Sequence, residues 1–116
     1  GRGGVMEGVC RGVREEGGTS VGLLPTSMEE ANPYVDLPIV TGLGELRNMA
    51  VASAGSAVIS IGGAYGTLLG FALRQGKRVV GLRTWNLRDE EGQPTPMLTA
   101  GSPQEAVELA LAEETR

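Results

Sequence analysis

The sequence predicts an α/β fold: a Rossmann-like parallel sheet with helices on both faces. Three observations predict it. Short β-branched or apolar runs alternate with segments whose apolar residues recur at three- and four-residue spacing, the pattern of βαβ units. The run Ser56-Ala57-Val58-Ile59-Ser60-Ile61 leads straight into the glycine-rich turn Gly62-Gly63-Ala64-Tyr65-Gly66-Thr67 and then into a helix. Glycine is also abundant, at 19 of 116 residues. It follows no collagen-like or low-complexity period and gathers where tight turns are needed.

Each element follows from local signals. Val5, Met6, Val9 and Val13 form a helical stripe, and Gly17-Gly18 ends that helix. Thr19 to Leu24 is β-branched and apolar, stops at Pro25, and reads as a buried strand. Residues 25–37 carry Pro25, Asn32, Pro33 and Asp36 and read as a loop. Pro38 to Thr41 is a short strand, and Glu45 to Ala54 a helix with Leu46, Met49, Ala50 and Ala54 inward. Ser56 to Ile61 is nearly all apolar, as a strand buried on both faces would be. A helix from about Thr67 to Gln75 follows, closed by Gly76, and Lys77 to Leu82 is another buried strand. Residues 83–95 form a charged loop and Met97 to Ala100 a last short strand. Ser102-Pro103-Gln104-Glu105 is a capping box, and it starts a terminal helix packed through Ala106, Val107, Leu109, Ala110 and Leu111.

The totals exclude several function classes. The net charge is −4 with no basic stripe, which argues against a nucleic-acid partner, and aromatic residues are too few for a base-stacking surface. There is no histidine, which removes histidine-based triads and most catalytic zinc sites, and no metal site is expected. The single cysteine, Cys10, reads as a buried thiol on a helix. No apolar run approaches the ~18 residues of a membrane helix, so no membrane partner and a cytoplasmic location are expected. The chain opens on Gly1-Arg2-Gly3-Gly4 with no strand ahead of this helix-opening turn. Residues 1–116 therefore read as one Rossmann-like nucleotide-binding domain lacking an N-terminal strand-helix-strand part. A central strand missing from such a sheet leaves unpaired edges and poor stability.

The candidate site lies where helices begin beyond the strand ends. Free N–H groups and partial positive charge at a helix N-terminus favour phosphate. Gly62, Gly63 and Gly66 let the backbone approach an anion, and the Thr67 hydroxyl adds a donor. Gly3 and Gly4 open another helix toward the same crevice. Neither glycine cluster has the G-x-G-x-x-G spacing of a dinucleotide site, and no acid ends a strand ~20 residues on. Arg47, at the start of a helix, is placed to meet a phosphate or ribose. Arg74, Lys77 and Arg78 lie near a helix C-terminus, where cations suit the dipole.

The segment Gly62 to Gly70, with Arg47 upstream and Gly3-Gly4-Val5-Met6, resembles the lonely-guy group of Rossmann proteins, long mislabelled lysine decarboxylases. The resemblance runs over essentially the whole chain. Catalytic members are nucleoside-monophosphate phosphoribohydrolases with P-G-G-x-G-T-x-x-E and an upstream Arg-Lys-x-x-Met. Here Gly62-Gly63-Ala64 replaces Pro-Gly-Gly, Tyr65 takes the variable position, and Gly70 replaces the closing Glu. Arg47 matches the Arg, but Asn48 and Val51 replace the Lys and Met. In the hydrolases that Glu and Arg assist N-glycosidic cleavage, and loss of a positioned acid–base group forfeits ~10²–10⁴ in rate. The glycine turn and Gly76-Lys77-Arg78-Val79-Val80-Gly81-Leu82 look more like the branch that includes the molybdenum cofactor carrier protein.

The resemblance therefore implies a non-catalytic carrier or sensor of a nucleotide or nucleotide-like phosphorylated ligand. Its binding residues are Gly3, Gly4, Arg47, Gly62, Gly63, Tyr65, Gly66 and Thr67. No cofactor is required for a reaction, and the ligand is a nucleotide or a molybdopterin. A lonely-guy phosphoribohydrolase and a molybdenum cofactor carrier are the alternatives. The resemblance also implies a homo-dimer or homo-tetramer.

Overall fold

Helix α1 (Gly4–Glu15) leads into strand β1 (Val21–Leu24), a 3-10 turn at Met28–Glu30 and strand β2 (Leu37–Val40). A second 3-10 turn, Gly44–Leu46, runs directly into α2 (Arg47–Ala54). Strand β3 (Ala57–Ile61), α3 (Gly66–Arg74), β4 (Arg78–Leu82), β5 (Leu98–Ala100) and α4 (Pro103–Leu111) complete the order. This computed structural model describes residues 4–62, 66–83, 91–93 and 97–112, with backbone alone at 66–69. All strand pairs are parallel and alternate with helices, as the sequence predicts. The pairs form two sheets, β1–β2 and β3–β4–β5, belonging to two compact units, Gly1–Val51 and Ala52–Arg116.

In the C-terminal unit β4 lies between β3 and β5, in registers that set Ala57 opposite Arg78 and Val80 opposite Leu98. Alternation along β4 then sends its side chains to opposite faces. Val79 packs with Ala52 and Ala72, flanked by Val58, Phe71, Leu73 and Met97. Val80 and Leu82 pack on the other face with Ala100 and Ala106, flanked by Leu109 and Ala110. Ala52, near the end of α2, and helix α3 thus lie on one face and α4 on the other. Val79 and Val80 are fully buried, each stabilising the unit by about 1.5–3 kcal/mol.

Glycine and cation caps fix the helix ends. Gly76 has a φ of +76° and donates its N–H to the Leu73 carbonyl at 3.0 Å, while the Lys77 N–H reaches Ala72 at 3.1 Å. This Schellman-type closure needs a left-handed residue, hence glycine. The Lys77 ammonium donates to the carbonyls of Ala52 (3.2 Å), Gly55 (2.6 Å) and Ser53 at the end of α2. Arg78 donates to Leu109 (3.1 Å) and Ala112 at the end of α4. These cations serve the dipoles of helices packed on the sheet, not that of α3, which immediately precedes them. The Ser102 hydroxyl accepts from the Glu105 N–H at 3.1 Å, and the Glu105 carboxylate accepts from the Gly101 N–H at 2.9 Å.

In the N-terminal unit the register sets Val21 opposite Leu37 and Leu24 opposite Val40. Ser20 and Asp36 brace the strand starts: the Asp36 carboxylate accepts from the Ser20 N–H at 2.9 Å and pairs with Arg14 at 3.3 Å. The buried Asn32 accepts from the Tyr34 N–H at 2.9 Å and donates to the Cys10 sulfur at 3.5 Å.

The structure corrects several expectations of burial. Strand β1 is not wholly buried, since Val21 is exposed, and neither is β3, where Ile59 and Ile61 are exposed. Among the described residues each pairs on one side only, so each is an edge strand of its sheet. Ala52 is the buried residue of α2, whereas Leu46 and Ala54 are exposed. The Leu46 position falls in the tighter 3-10 turn, which displaces the side chain from the apolar stripe of a continuous helix. On α4 the packing face is Ala106, Leu109 and Ala110, with Val107 and Leu111 exposed. Cys10 is half-buried, not fully buried.

Candidate functional site

The C-terminal end of β1 is tied residue by residue. The Leu23 carbonyl accepts from Arg47 Nη1 at 2.8 Å. The Leu24 carbonyl accepts from the Thr41 N–H (2.9 Å) and the Thr41 hydroxyl (2.8 Å), and Pro25 accepts from the Gly44 N–H at 3.1 Å. The Thr26 and Ser27 N–H groups both donate to Glu30 Oε1, at 2.7 and 2.6 Å, and the Thr26 hydroxyl adds a bond at 3.2 Å. These amides, that of Ser27 foremost, and then the Thr26 hydroxyl and the nearby Arg47 charge hold the Glu30 carboxyl below the usual carboxylate range. Arg47 is half-buried, and its Nε is buried without a hydrogen-bond partner. The guanidinium thus stands at a strand's C-terminal end, where ligands of such sheets bind.

The C-terminal end of β3 carries the glycine turn. Gly62 follows Ile61 with a φ of +77° and donates its N–H to the Leu82 carbonyl at 3.1 Å, which ties the turn to the end of β4. Helix α3 begins at Gly66, with Thr67 second, so its first amides lack intrahelical acceptors and are suited to an anion. Gly70, the position of the hydrolases' closing Glu, is half-buried in α3, and a Cβ there would meet nothing within 4 Å. Packing therefore does not enforce the missing carboxylate. Arg83, directly after β4, is exposed with a φ of +56°, a conformation unusual for a residue with a Cβ.

The predicted residues distribute plainly. Arg47 belongs to the N-terminal unit, at the end of β1, and Gly62, Gly66 and Thr67 to the C-terminal unit, at and after the end of β3. Gly4 opens α1, exposed, with a φ of +61°. Gly3, Gly63 and Tyr65 lie outside the described residues. Sequence reasoning missed Glu30. Its signal was present as Ser27-Met28-Glu29-Glu30, the Ser-x-x-Glu spacing of a helix start.

The profile of the SLOG cluster4 family matches residues 1–107. The chain belongs to the SLOG cluster4 family. A molybdenum cofactor binding protein from the phototrophic bacterium Rippkaea orientalis superposes with a TM-score of 0.74 at 31% identity, over 91% of this chain and 69% of that one. The molybdenum cofactor carrier protein of Chlamydomonas reinhardtii superposes with a TM-score of 0.62 at 39% identity, over 71% and 52%. An uncharacterised protein of Archaeoglobus fulgidus is 40% identical over 85 residues, or 72% of this chain and 56% of its own length. The chain thus spans about half the length of that curated relative. The predicted resemblance, a lonely-guy-like Rossmann protein of the branch that includes the molybdenum cofactor carrier, is borne out. Among the described residues no helix is long and apolar enough to cross a membrane.

Proposed function

We propose that this SLOG cluster4 chain binds a nucleotide-like phosphorylated ligand without transforming it, as a carrier or sensor. The observation that carries this reading is the likeness to two proteins that bind molybdenum cofactor, at 31% and 39% identity. The residues present suit the phosphate of such a ligand. The first amides of α3 suit the phosphate, and the glycine-rich sequence motif of Gly62, Gly63, Tyr65, Gly66 and Thr67 is assigned to it. Arg47 brings donors fixed in place by Leu23 for a polar edge of the ligand or its phosphate. Gly3 and Gly4 are carried over from the family resemblance as further ligand-binding positions. A glycine at position 70 supplies no acid or base, which favours holding over cleavage.

The assembly is proposed as a homo-dimer or homo-tetramer in the cytoplasm, to be checked by sedimentation. The deciding measurement is calorimetric binding of AMP, GMP and a pterin phosphate, with free base release followed in the same samples. Binding without base release is expected, with the pterin phosphate preferred. A Gly66→Asp variant, which sets a carboxylate at the start of α3, should abolish it by charge repulsion. Base release at an enzyme-like rate would instead establish a phosphoribohydrolase.

A further inference from the structure

We propose that Arg83 is a ligand-binding residue, the cation that meets a phosphate monoester at the C-terminal end of the β3–β4–β5 sheet. The inference deepens the reading of the glycine turn as a phosphate site and rests on it. The register sets Ile61 opposite Leu82, so Gly62 and Arg83 are the first residues beyond the paired ends of β3 and β4. The Gly62 N–H donates to the Leu82 carbonyl at 3.1 Å and holds the two exits together. Both exits leave the sheet with left-handed backbone, at a φ of +77° for Gly62 and +56° for Arg83. Every other positive φ among the described residues belongs to a glycine. Arg83 holds a Cβ in a conformation that glycine adopts without strain. Its side chain does nothing for the fold that accounts for this: it is exposed and has no hydrogen bond or ion pair to a described residue. Strain kept at an exposed, unengaged side chain points to a role outside the fold. The charge also falls where that role needs it. The other described basic residues of this unit, Arg74, Lys77 and Arg78, lie at the opposite end of β4. Lys77 and Arg78 are spent there on the carbonyls that end α2 and α4. Arg83 stands at the ligand end of the strands, beside the turn that leads to the first amides of α3. A guanidinium offers a phosphate two parallel N–H donors and a full charge, which complements amides that carry only partial charge.

Variants at position 83 of the full chain test it, with AMP and adenosine as probes and a urea titration for stability. Arg83→Gly relieves the backbone and removes the charge, so its urea midpoint should rise while its AMP affinity falls about tenfold, or ~1.4 kcal/mol. Arg83→Gln keeps the strained Cβ and loses only the charge, so AMP affinity should fall equally with no gain in midpoint. Arg83→Lys keeps the charge and should stay within about threefold of the wild-type affinity. Adenosine lacks the phosphate and should bind wild type and variants alike. AMP binding by the two charge-free variants should also depend less steeply on salt. Wild-type AMP affinity in Arg83→Gln overturns the proposal, as does an equal loss for adenosine. A midpoint of Arg83→Gly at or below wild type means that the backbone stores no strain, and overturns it too. If wild type binds neither AMP nor the pterin phosphate, the phosphate reading fails and Arg83 falls with it. AMP bound equally by wild type and all variants leaves that reading standing and removes Arg83 alone.

Discussion

Two carboxylates, Glu30 and Asp36, should make the stability of the N-terminal unit depend on pH. Amide donors dominate both: Ser27 and Thr26 lower the Glu30 pKa, and Ser20, followed by Arg14, lowers that of Asp36. A pKa lower in the folded than in the unfolded chain stabilises above the unfolded value. That contribution disappears as pH falls through the folded one. The unfolding midpoint should therefore fall as pH drops below about 4, in melts followed by circular dichroism from pH 7 to 2.5. Glu30→Gln combined with Asp36→Asn should flatten the profile, and a wild-type midpoint that is constant over this range would contradict the assignment. Gly62 makes a second prediction. Its φ of +77° lies where a Cβ is strained, so Gly62→Ala should cost about 1 kcal/mol in a denaturant titration although nothing crowds the added atom.

Helix α4 has nine residues, too few to persist alone, so its ends and its packing must hold it. Ser102 satisfies an amide at its start and Arg78 satisfies carbonyls at its end. Ser102→Ala should lower stability by about 1 kcal/mol. Lys77 does the same service for the eight-residue α2, and Lys77→Met should cost about 1–2 kcal/mol. Both losses are checked by urea titration, and the Lys77 change should also raise amide exchange near Ala52 to Gly55. A Lys77 variant as stable as wild type would mean that water serves those carbonyls equally well.

Across the whole molecule, apolar surface remains uncovered. Parallel register sets Val21 and Leu23 beside Leu37 and Ile39 on one face of the β1–β2 sheet, and Val21 is 54% and Leu37 55% exposed. Met6 and Val9 of α1 are exposed as well. Two short parallel sheets with open edges are weak alone and prone to association. The isolated 116-residue chain should therefore lack a cooperative thermal transition above ~60 °C and scatter light increasingly with concentration. A reversible, concentration-independent transition above that temperature would show that the described contacts suffice.

The sequence by itself determined the element types, their parallel arrangement and the glycine closures, because these depend on spacing of a few residues. Alternation along Val79–Leu82, the Gly76 closure and the Ser102 cap are local interactions, and all three are present in the structure. It also made Arg47 and the glycine turn stand out, since a helix start after a strand is a short-range pattern. Burial was decided by the tertiary structure. Apolar runs such as Ala57–Ile61 look alike whether a neighbouring strand covers them or not, and only strand order tells an edge from a centre. The partners of Lys77, Arg78 and Arg47 lie 22 to 34 residues away, and their carbonyls carry no side-chain signature that a sequence could display. Glu30 marks the boundary between the two. Its Ser-x-x-Glu spacing is local, but the turn it closes follows β1, whose Leu23 carbonyl is bound by Arg47 from a segment that only folding brings there.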